Sequence, residues 1–466
     1  MTIALVWTGV AALLVPLGYG SDVDAWLVGE RARQIWESGT YLRSRSTGFP
    51  LYELSVTPFV HMGGWLASNI YTALWGLLLL WLLFRLAARG ELRHAAVTTI
   101  TFLFLPVVVK NATSTMDYIP AIALLTGSYV ALTEKRYVLS AVLIGVACGF
   151  RPSSGLWIVP TVVWVLVDPS FHSAGRKYHP WWIASGMSAV AVLVGTAAFW
   201  PSLRLGTNFA IAPVTTIANG VLNGMRMFGI GQTLVLACLT AAILWHARQC
   251  VCSQRERPFV AFHATNTLVW LAFFMLLPGE PEYLMPVILS CILVLDRYAG
   301  RGAMITAALV LLSFHVVALE VNGSRGGTQP RGVMITSGFT VRDVNDRRFK
   351  LWLREAANRE TLPDSNDPRP VLFMEQIMPP VVGRPGWTFD EPLGIERRGD
   401  NRVAVSQRIT DVESLRALHD AGYRITAWQQ YEWEYDQPAF QQARPFVEFV
   451  NDPGTLFGVP VRGLPF

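Results

Sequence analysis

The chain has 466 residues, of which 52% are hydrophobic and only 15% are charged, and its mean hydropathy is +0.36. Soluble proteins carry about 25% charged residues, so this composition excludes a fully water-soluble protein and indicates a membrane protein. The 38 Lys and Arg residues exceed the 33 Asp and Glu residues, but the excess lies beside apolar runs and gives little support to nucleic-acid binding.

Eleven apolar runs predict about eleven transmembrane helices within residues 1–320, although several are shorter than the roughly 20 residues of a perpendicular span. The runs cover 2–20, 69–84, 95–109, 118–132, 137–150, 155–167, 181–199, 232–245, 259–277, 284–295 and 303–319.

The basic residues predict how these helices are oriented. If the N-terminus is cytoplasmic, the inner loops hold twelve Lys and Arg residues and the longer outer loops hold eight. Positive residues are enriched in cytoplasmic loops, so we expect a cytoplasmic N-terminus in an inner (cytoplasmic) membrane. An odd number of spans then places the C-terminal domain outside the cytoplasm.

The first outer loop, 21–68, is predicted to contain a surface helix. Its apolar residues recur at helical spacing, and Gly39 follows them as a helix-ending glycine. We expect this helix to lie in the membrane interface with its apolar face toward lipid. The apolar positions are Ala25, Val28, Ala32, Ile35 and Trp36.

Two acids, Asp22 and Asp24, directly precede this helix. Ser21 and Asp24 have the spacing of a capping box, which gives Asp24 a structural role. A carboxylate held at the membrane surface can also accept a proton from a hydroxyl nucleophile. The two roles are compatible.

Two further charged residues lie at the predicted outer ends of helices. Asp117 directly precedes an apolar run, and we expect it at the interface or in a wet cavity because a charge is costly at the bilayer centre. Arg151 separates two apolar runs and is followed by the helix breaker Pro152, a position that suits phosphate binding. A helix cap or loop acid for Asp117 and an interfacial arginine for Arg151 are the structural alternatives.

Weaker candidates lie in the remaining outer loops. Lys110 and Arg226 are single basic residues that could contact phosphate, and Glu282 and Tyr283 could contact a sugar or phosphate from a short loop. Arg226 belongs to a second outer loop, 200–231, that is rich in Gly, Asn and Thr.

The last part of the chain has the charge content of a soluble protein, with 18 basic and 19 acidic residues. A linker at 322–332 precedes predicted strands at Val371–Met374 and Tyr423–Trp428 and a capped helix that stops at Gly422. These elements predict a small α/β domain at 321–466. It contains no nucleotide-binding, zinc-protease or serine-hydrolase motif.

These residues together resemble the GT-C superfamily of integral-membrane glycosyltransferases, and most closely its lipid A aminoarabinose transferase and protein O-mannosyltransferase branch. In that branch an acid opens the first periplasmic loop, a surface helix ends in Ser-Gly, and an Arg, a Gly-x-Pro and a Glu follow at set spacing. The matching positions are Asp24, Ser38, Gly39, Arg45, Gly48, Pro50 and Glu53, followed by Asp117, Gly149-Phe-Arg151-Pro152 and Glu282-Tyr-Leu-Met-Pro286.

Two positions depart from the branch pattern. The second acid stands at Asp22, two residues before Asp24, rather than directly after it. Leu54 stands where the aminoarabinose branch has a lysine, which argues against lipid A as the acceptor.

The resemblance implies an α-helical polytopic membrane protein that transfers a sugar, with inversion, from a polyprenyl-phosphate donor to a lipid, glycan or protein acceptor of the cell envelope. Asp24, or else Asp22, would be the catalytic base, and Arg151 would stabilise the departing phosphate. We expect both groups to face one pocket at the outer lipid boundary. The other residues implied in binding sugar or phosphate are Lys110, Asp117, Glu53, Arg45, Glu282 and Tyr283.

The resemblance leaves the metal requirement open. Some members of the superfamily use a divalent ion such as Mg or Mn, and others need none. The candidate ligands in this chain are Asp22, Asp24 and Asp117.

Two non-enzymatic alternatives remain. A transporter or lipid flippase would place ionisable residues at mid-bilayer and show internal repetition. The sequence shows neither, because the acids cluster in the predicted outer loops and no half of the chain repeats the other. A signalling or assembly protein would act through its exported tail.

Overall fold

The computed structural model describes the helical part of the chain almost throughout and the C-terminal region in shorter stretches. The described residues are 2–45, 47–171, 180–205, 229–249, 256–277, 280–322, 332–356, 371–374, 387–390, 395–398, 403–406, 412–428, 442, 444–450, 455–456 and 459–460. The chain divides into two compact units. The first comprises Met1–Tyr19 and Arg31–Asp343, and the second comprises Gly20–Glu30 and Val344–Phe466.

The first unit is built mainly from helices. Each of the eleven apolar runs lies mostly on one of them or on the pair α4–α5, and the last run, 303–319, continues into the strand Val317–Asn322. The helices up to residue 313 are α1 (Thr2–Leu14), α2 (Val23–Ser38), α3 (Pro50–Ala88), α4 (Ala95–Leu103), α5 (Pro106–Ala112), α6 (Tyr118–Thr133), α7 (Tyr137–Phe150), α8 (Ile158–Val167), α9 (Pro180–Arg204), α10 (Ile230–Gln249), α11 (Arg257–Leu276), α12 (Met285–Tyr298) and α13 (Arg301–Ser313).

Three of the described helices, α3, α9 and α11, are long and apolar enough to cross a membrane. The bent pair α4–α5, with 64° between its members, would be a fourth if it forms one span, and six shorter apolar segments accompany them. On α9, exposed Trp181 and Trp182 lie near one end and exposed Trp200 near the other, as in the aromatic belts of membrane interfaces. The chain is a multi-pass membrane protein, and the total of about eleven crossings stays a prediction.

The first outer loop contains more helix than its sequence pattern predicted. Residues 50–62 are helical, and non-helical backbone at Gly63 and Gly64 separates them from the apolar part of α3. Gly64 has a φ of +56°, a conformation that favours glycine. The predicted loop therefore holds two helical segments, α2 and residues 50–62.

The expectation of a lipid-facing α2 needs correction. Its apolar residues Ala25, Val28, Ala32 and Ile35 are buried within the protein, and Trp36 alone of the predicted apolar face is exposed. The end of the helix agrees with the sequence pattern, because α2 stops at Ser38 and is followed by a glycine with positive φ.

Polar contacts gather at the two ends of the first unit. At one end, here called the basic end, Glu134 binds Arg85 and Arg89, and Arg297 binds Glu256. The opposite end, here called the loop end, comprises residues 41–53, 110–118, 151–157, 202 and 280–285. Helices α3, α6 and α12 each run from the loop end to the basic end.

A buried histidine links three helices between these ends. The ring nitrogens of His263 on α11 lie 3.0 Å from Ser290 Oγ and 3.1 Å from Tyr129 Oη. This ionisable residue lies within an apolar run, where the sequence analysis named none. Both ring nitrogens have a hydrogen-bond partner, as buried polar groups require.

A short antiparallel hairpin follows α13. Strand β1 (Val317–Asn322) pairs with β2 (Gly332–Ser337), with Val317 opposite Ser337. This hairpin lies within the first unit, so the second unit resumes at Val344 rather than at the predicted boundary of 321. Most of the predicted linker, 323–331, lies outside the described residues.

The second unit contains a mixed six-stranded sheet with the order β4-β5-β6-β3-β7-β8. Strands β6, β3, β7 and β8 run parallel, and β4, β5 and β6 run antiparallel. Helix α15 lies between β6 and β7 in the chain, as a connection between parallel strands requires. The remaining elements are α14 (Phe339–Ala356), β3 (Val371–Met374), β4 (Trp387–Asp390), β5 (Ile395–Arg398), β6 (Val403–Ser406), α15 (Val412–Asp420), β7 (Arg424–Trp428), β8 (Val447–Val450), β9 (Thr455–Leu456) and β10 (Val459–Pro460).

Candidate active site

The central feature of the loop end is a buried carboxylate between two guanidinium groups. Asp117 precedes α6, and its Oδ1 accepts a hydrogen bond from Arg45 Nη2 while its Oδ2 accepts one from Arg151 Nη1, both at 2.6 Å. The carboxylate makes no side-chain cap to α6, so the capping alternative is wrong. We call Arg45, Asp117 and Arg151 the arginine–aspartate cluster.

The two arginines stabilise the ionised form of Asp117. Burial raises the pKa of this carboxyl, but the charges and hydrogen bonds of Arg151 and Arg45 outweigh burial, and its pKa is lowered from the ordinary value of 3.8. Asp117 is therefore a carboxylate at neutral pH, and the two guanidiniums around it carry one net positive charge.

Aromatic rings surround the guanidinium of Arg151. Its Cζ lies 3.6 Å from the ring centroid of Tyr118, 4.8 Å from that of Tyr283 and 5.5 Å from that of Phe49. Each ring face attracts a cation. Helix α7 ends just before Arg151, and Pro152 follows. The arginine side chain is buried among these rings and does not extend into solvent.

Glu280 is a site residue that the sequence analysis did not single out. Its Oε2 accepts a hydrogen bond from Tyr118 Oη and lies 3.4 Å from Arg151 Nη2. Its side chain is 41% exposed, whereas that of Asp117 is fully buried. Two sequence features could have identified Glu280: its place in the motif Glu280-Pro-Glu282, and the presence of Tyr118 directly after Asp117.

Glu53 organises the loop that carries Arg45. It is completely buried, and its oxygens accept hydrogen bonds from Ser44 N at 2.7 Å, from Phe49 N at 2.9 Å and from Tyr41 Oη at 2.5 Å. Burial and the nearby Glu53 carboxylate raise the pKa of Tyr41 above its ordinary value. These bonds support a positioning role for Glu53 rather than direct contact with a sugar.

The loop is also joined to the end of α9. Gly48 has a φ of +70°, and a Cβ there would collide with Ser202 Oγ and Tyr41 Oη. Ser202 Oγ lies 2.9 Å from Tyr41 Oη. Only glycine fits at this contact, which explains the Gly of the Gly-x-Pro motif in physical terms.

Lys110 and Glu282 form a second, weaker pair at the loop end. Lys110 Nζ lies 3.4 Å from Glu282 Oε1, which also accepts a hydrogen bond from Asn111 Nδ2 at 3.2 Å. The structure thus places these two predicted residues together, and Tyr283 beside Arg151.

The turn before Asp117 is fixed by buried hydrogen bonds. Thr115 donates to Asn69 Oδ1 at 2.8 Å and lies 2.7 Å from Ser68 Oγ, and its backbone N–H donates to Tyr19 O. Asn69 in turn donates to Val15 O and Gly18 O. These bonds hold Asp117 where both arginines reach it.

Asp22 and Asp24 belong to the second unit, whereas Arg151 belongs to the first. Asp22 Oδ1 accepts a hydrogen bond from the backbone N–H of Asp24 at 3.0 Å, so Asp22 provides a side-chain cap at the start of α2. The convergence of Asp24 and Arg151 on one pocket stays a prediction.

The geometry around Asp117 does not suit a metal ion. Each of its oxygens already binds a guanidinium, and the two positive charges would repel a cation. Among the described residues no group of three His, Cys, Asp or Glu side chains has metal-binding geometry.

Comparisons with known proteins identify solved structures with a similar fold. No family model and no curated protein matches the sequence. The crystal structure of ArnT from Cupriavidus metallidurans in the apo state is similar, with 18% identity over 82% of this chain and 84% of that one and a TM-score of 0.50. ArnT from the same organism bound to undecaprenyl phosphate matches with 16% identity and a TM-score of 0.47, over 66% of this chain and 62% of the length of that one. The chain is thus structurally similar, over most of its length, to the aminoarabinose transferase ArnT of the GT-C superfamily.

Proposed function

We propose that this protein is an inverting glycosyltransferase that moves a sugar from a polyprenyl-phosphate donor to a lipid, glycan or protein acceptor at the outer face of the membrane. The observation that carries the proposal is the arginine–aspartate cluster, in which one buried carboxylate lies between buried Arg151 and partly buried Arg45. The ArnT-like fold and the residue pattern of the first loop support it, and ArnT itself has been crystallised with undecaprenyl phosphate.

Arg151 would stabilise the phosphate that departs from the sugar. Fixed positive charge at a developing anion is a strong catalytic contribution because it needs no reorganisation during the reaction. Asp117 and the aromatic rings hold the guanidinium in place, and the Arg151 Nε–H has no hydrogen-bond partner in the described structure. A phosphate oxygen would supply one.

Glu280 would be displaced when phosphate binds. It is the longer and more exposed of the two carboxylate contacts of Arg151, so an incoming phosphate, which would repel it, would replace this contact rather than the one with Asp117. Its departure would leave the net positive charge of the cluster for the donor.

Asp24 would accept the proton of an acceptor hydroxyl as that oxygen attacks the anomeric carbon. If the acceptor is an amide, Asp24 would polarise it instead. The cap that Asp22 makes to α2 gives that residue a structural task, which supports Asp24 as the base. We place both residues, with the C-terminal domain, on the extracytoplasmic side.

The test is release of polyprenyl phosphate from a panel of polyprenyl-phosphate sugars by the purified protein in liposomes. We expect release from at least one donor with the wild type, loss of about 100-fold or more with Asp24→Asn, and a smaller loss with Asp22→Asn. Equal activity of wild type and Asp24→Asn would remove the assigned base. No release from any donor would favour a transporter, a flippase or an assembly protein.

A further inference from the structure

The second unit contains a short piece of the first outer loop. Gly20–Glu30 belongs to one compact unit with Val344–Phe466, although the two segments are far apart in the sequence. This piece carries Asp24, the proposed base, together with Asp22. The proposed base is thus built into the same unit as the C-terminal domain, an arrangement that the boundary predicted at 321 did not indicate.

Lys350 joins these two parts of the second unit. It lies on α14, it is only 6% exposed, and its Nζ donates a hydrogen bond to the backbone carbonyl of Ser21. Lysine is rarely buried unless its ammonium group is paired. Because a peptide carbonyl oxygen lies beside the Cα of the following residue, this ammonium group also lies close to Asp22.

Hydrogen bonds hold three consecutive residues of the turn before α2. Gly20 O accepts a bond from the indole N–H of Trp26 at 2.8 Å, and Asp22 makes its cap to the start of the helix. Both of these bonds are local. The bond from Lys350 to Ser21 O comes from a residue 329 positions away, so it ties the turn to the C-terminal domain.

We propose that Lys350 is a positioning residue for the catalytic base, and that the C-terminal domain takes part in sugar transfer through it. The inference rests on the proposed function, in which Asp24 accepts the proton of the acceptor, and it adds a role for the C-terminal domain. A general base must lie within hydrogen-bond distance of the proton that it accepts, and a displacement of about 1 Å can cost about 100-fold in rate. Without the Lys350 bond the turn keeps its local bonds and loses its attachment to α14, so Asp24 is placed less precisely.

Three variants test this role. Lys350→Met keeps an unbranched side chain and removes the donor, and replacing a buried charge with an apolar residue of similar size is often neutral for stability. Lys350→Arg is the conservative change, because a guanidinium can also donate to a carbonyl. Arg424→Met is the matched control in the same unit, because the Arg424 side chain is 10% exposed and binds Glu448 of the neighbouring strand at 2.6 Å.

The rate of polyprenyl phosphate release is measured with the donor that the wild type cleaves fastest, and it is divided by the number of undecaprenyl phosphate binding sites so that unfolded protein does not count. We expect Lys350→Met to be slower by about ten-fold or more and to bind undecaprenyl phosphate within about two-fold of the wild-type affinity. Lys350→Arg should stay within about three-fold of the wild-type rate and Arg424→Met within about two-fold. A wild-type rate in Lys350→Met, or an equal loss in Lys350→Arg or Arg424→Met, would overturn the proposal.

A double-mutant cycle separates positioning of the base from a general structural effect. If Lys350 acts through Asp24, Lys350→Met should change the residual rate of Asp24→Asn by less than about two-fold. A further loss of about ten-fold in that background would mean that Lys350 acts independently of the base, and it would contradict the proposal.

Hydrogen exchange of the turn gives a readout that needs no activity. Lys350→Met should raise the exchange rate of the backbone N–H groups of residues 21–24 about five-fold or more, and Arg424→Met should leave it unchanged. Unchanged exchange in Lys350→Met would overturn this proposal alone. Wild type that releases no polyprenyl phosphate from any donor would overturn the proposed function, and with it the base that Lys350 positions, whether or not the exchange rate changes.

Discussion

Ion pairs at the two ends of the first unit differ sharply in burial. At the basic end, Arg85 and Arg89 bind Glu134 at 2.7 and 3.2 Å through arginine side chains that are each 42% exposed. At the loop end, Arg151 binds Asp117 with only 7% of its side chain exposed. Exposed pairs contribute little to stability, whereas buried ones are maintained only by close geometry against a large desolvation cost.

The two ends thus differ in the role that their charges suit. Exposed charges can orient a protein in the membrane, whereas buried and fixed charges can bind a ligand. The basic end fits the role of a cytoplasmic face, where the number of positive charges matters more than their placement. At the loop end, Arg45 and Arg151 are each held by Asp117 and by at least one aromatic ring. Such fixed and desolvated charge is typical of functional sites.

The largest expected effect comes from removing the shared carboxylate. Asp117→Asn removes the carboxylate that Arg45 and buried Arg151 both bind and leaves Arg151 its longer contact with Glu280. We expect it to lower the free energy of unfolding by about 3–5 kcal/mol. Thermal unfolding in a mild detergent measures this loss.

Glu134→Gln is the matched change at the basic end. The Glu134 side chain is only 8% exposed, but its partners Arg85 and Arg89 are each 42% exposed and keep contact with solvent, so we expect a cost of about 1 kcal/mol. Similar losses in the two variants would mean that the two ends do not differ in the way that burial indicates.

The next effect concerns transfer rather than stability. Arg151→Gln keeps a hydrogen-bonding side chain but removes the charge at the departing phosphate, and we expect the rate of donor cleavage to fall about 100-fold or more. Release of polyprenyl phosphate is the readout. Arg85→Gln at the basic end should retain activity within about two-fold, and a comparable fall in that variant would point to a general loss of folded protein.

A smaller effect, and one of opposite sign, is expected at Glu280. Glu280→Gln removes the carboxylate that competes with phosphate for Arg151, so affinity for the donor should rise by about three- to ten-fold. Titration with undecaprenyl phosphate measures it, with Glu256→Gln at the basic end as the control. Weaker binding by Glu280→Gln would show that this carboxylate contacts the donor directly.

The smallest expected effect near neutral pH is the pH dependence of the stability that Asp117 contributes. Because the folded-state pKa of Asp117 is lowered below 3.8, its contribution to stability is present above that value and is lost as the pH falls through the folded-state pKa. We expect this contribution to be constant from neutral pH down to about 4 and to decline only in stronger acid. The difference in unfolding temperature between wild type and Asp117→Asn, followed with pH, isolates it, and a decline that begins near pH 6 would contradict the assignment.

The sequence could predict the apolar helices and several of the site residues. Asp117 and Arg151 could be identified because a charged residue beside an apolar run has an energetic cost in lipid and therefore indicates a functional site. Gly39 correctly predicts where α2 ends. The strands at 371–374 and 424–428 are also observed where their apolar patterns predicted them.

The partners of these residues could not be predicted in the same way. Arg45 and Asp117 are 72 residues apart in the chain, and only the packing of α3, α6 and α7 brings their side chains together. The helix at 50–62 was missed because its apolar spacing is interrupted by polar residues. Glu280 was missed because a half-exposed acid in a loop is ordinary until its contact with Arg151 is known.

Gly48 also links the loop at 41–53 to the last turn of α9. Because its hydrogen lies against the hydroxyl of Ser202, any larger side chain would push the last turn of α9 outward, and α9 leads directly into the second outer loop. The loop at 41–53 and the last turn of α9 therefore depend on each other, and natural variation in one should constrain which changes the other can accept.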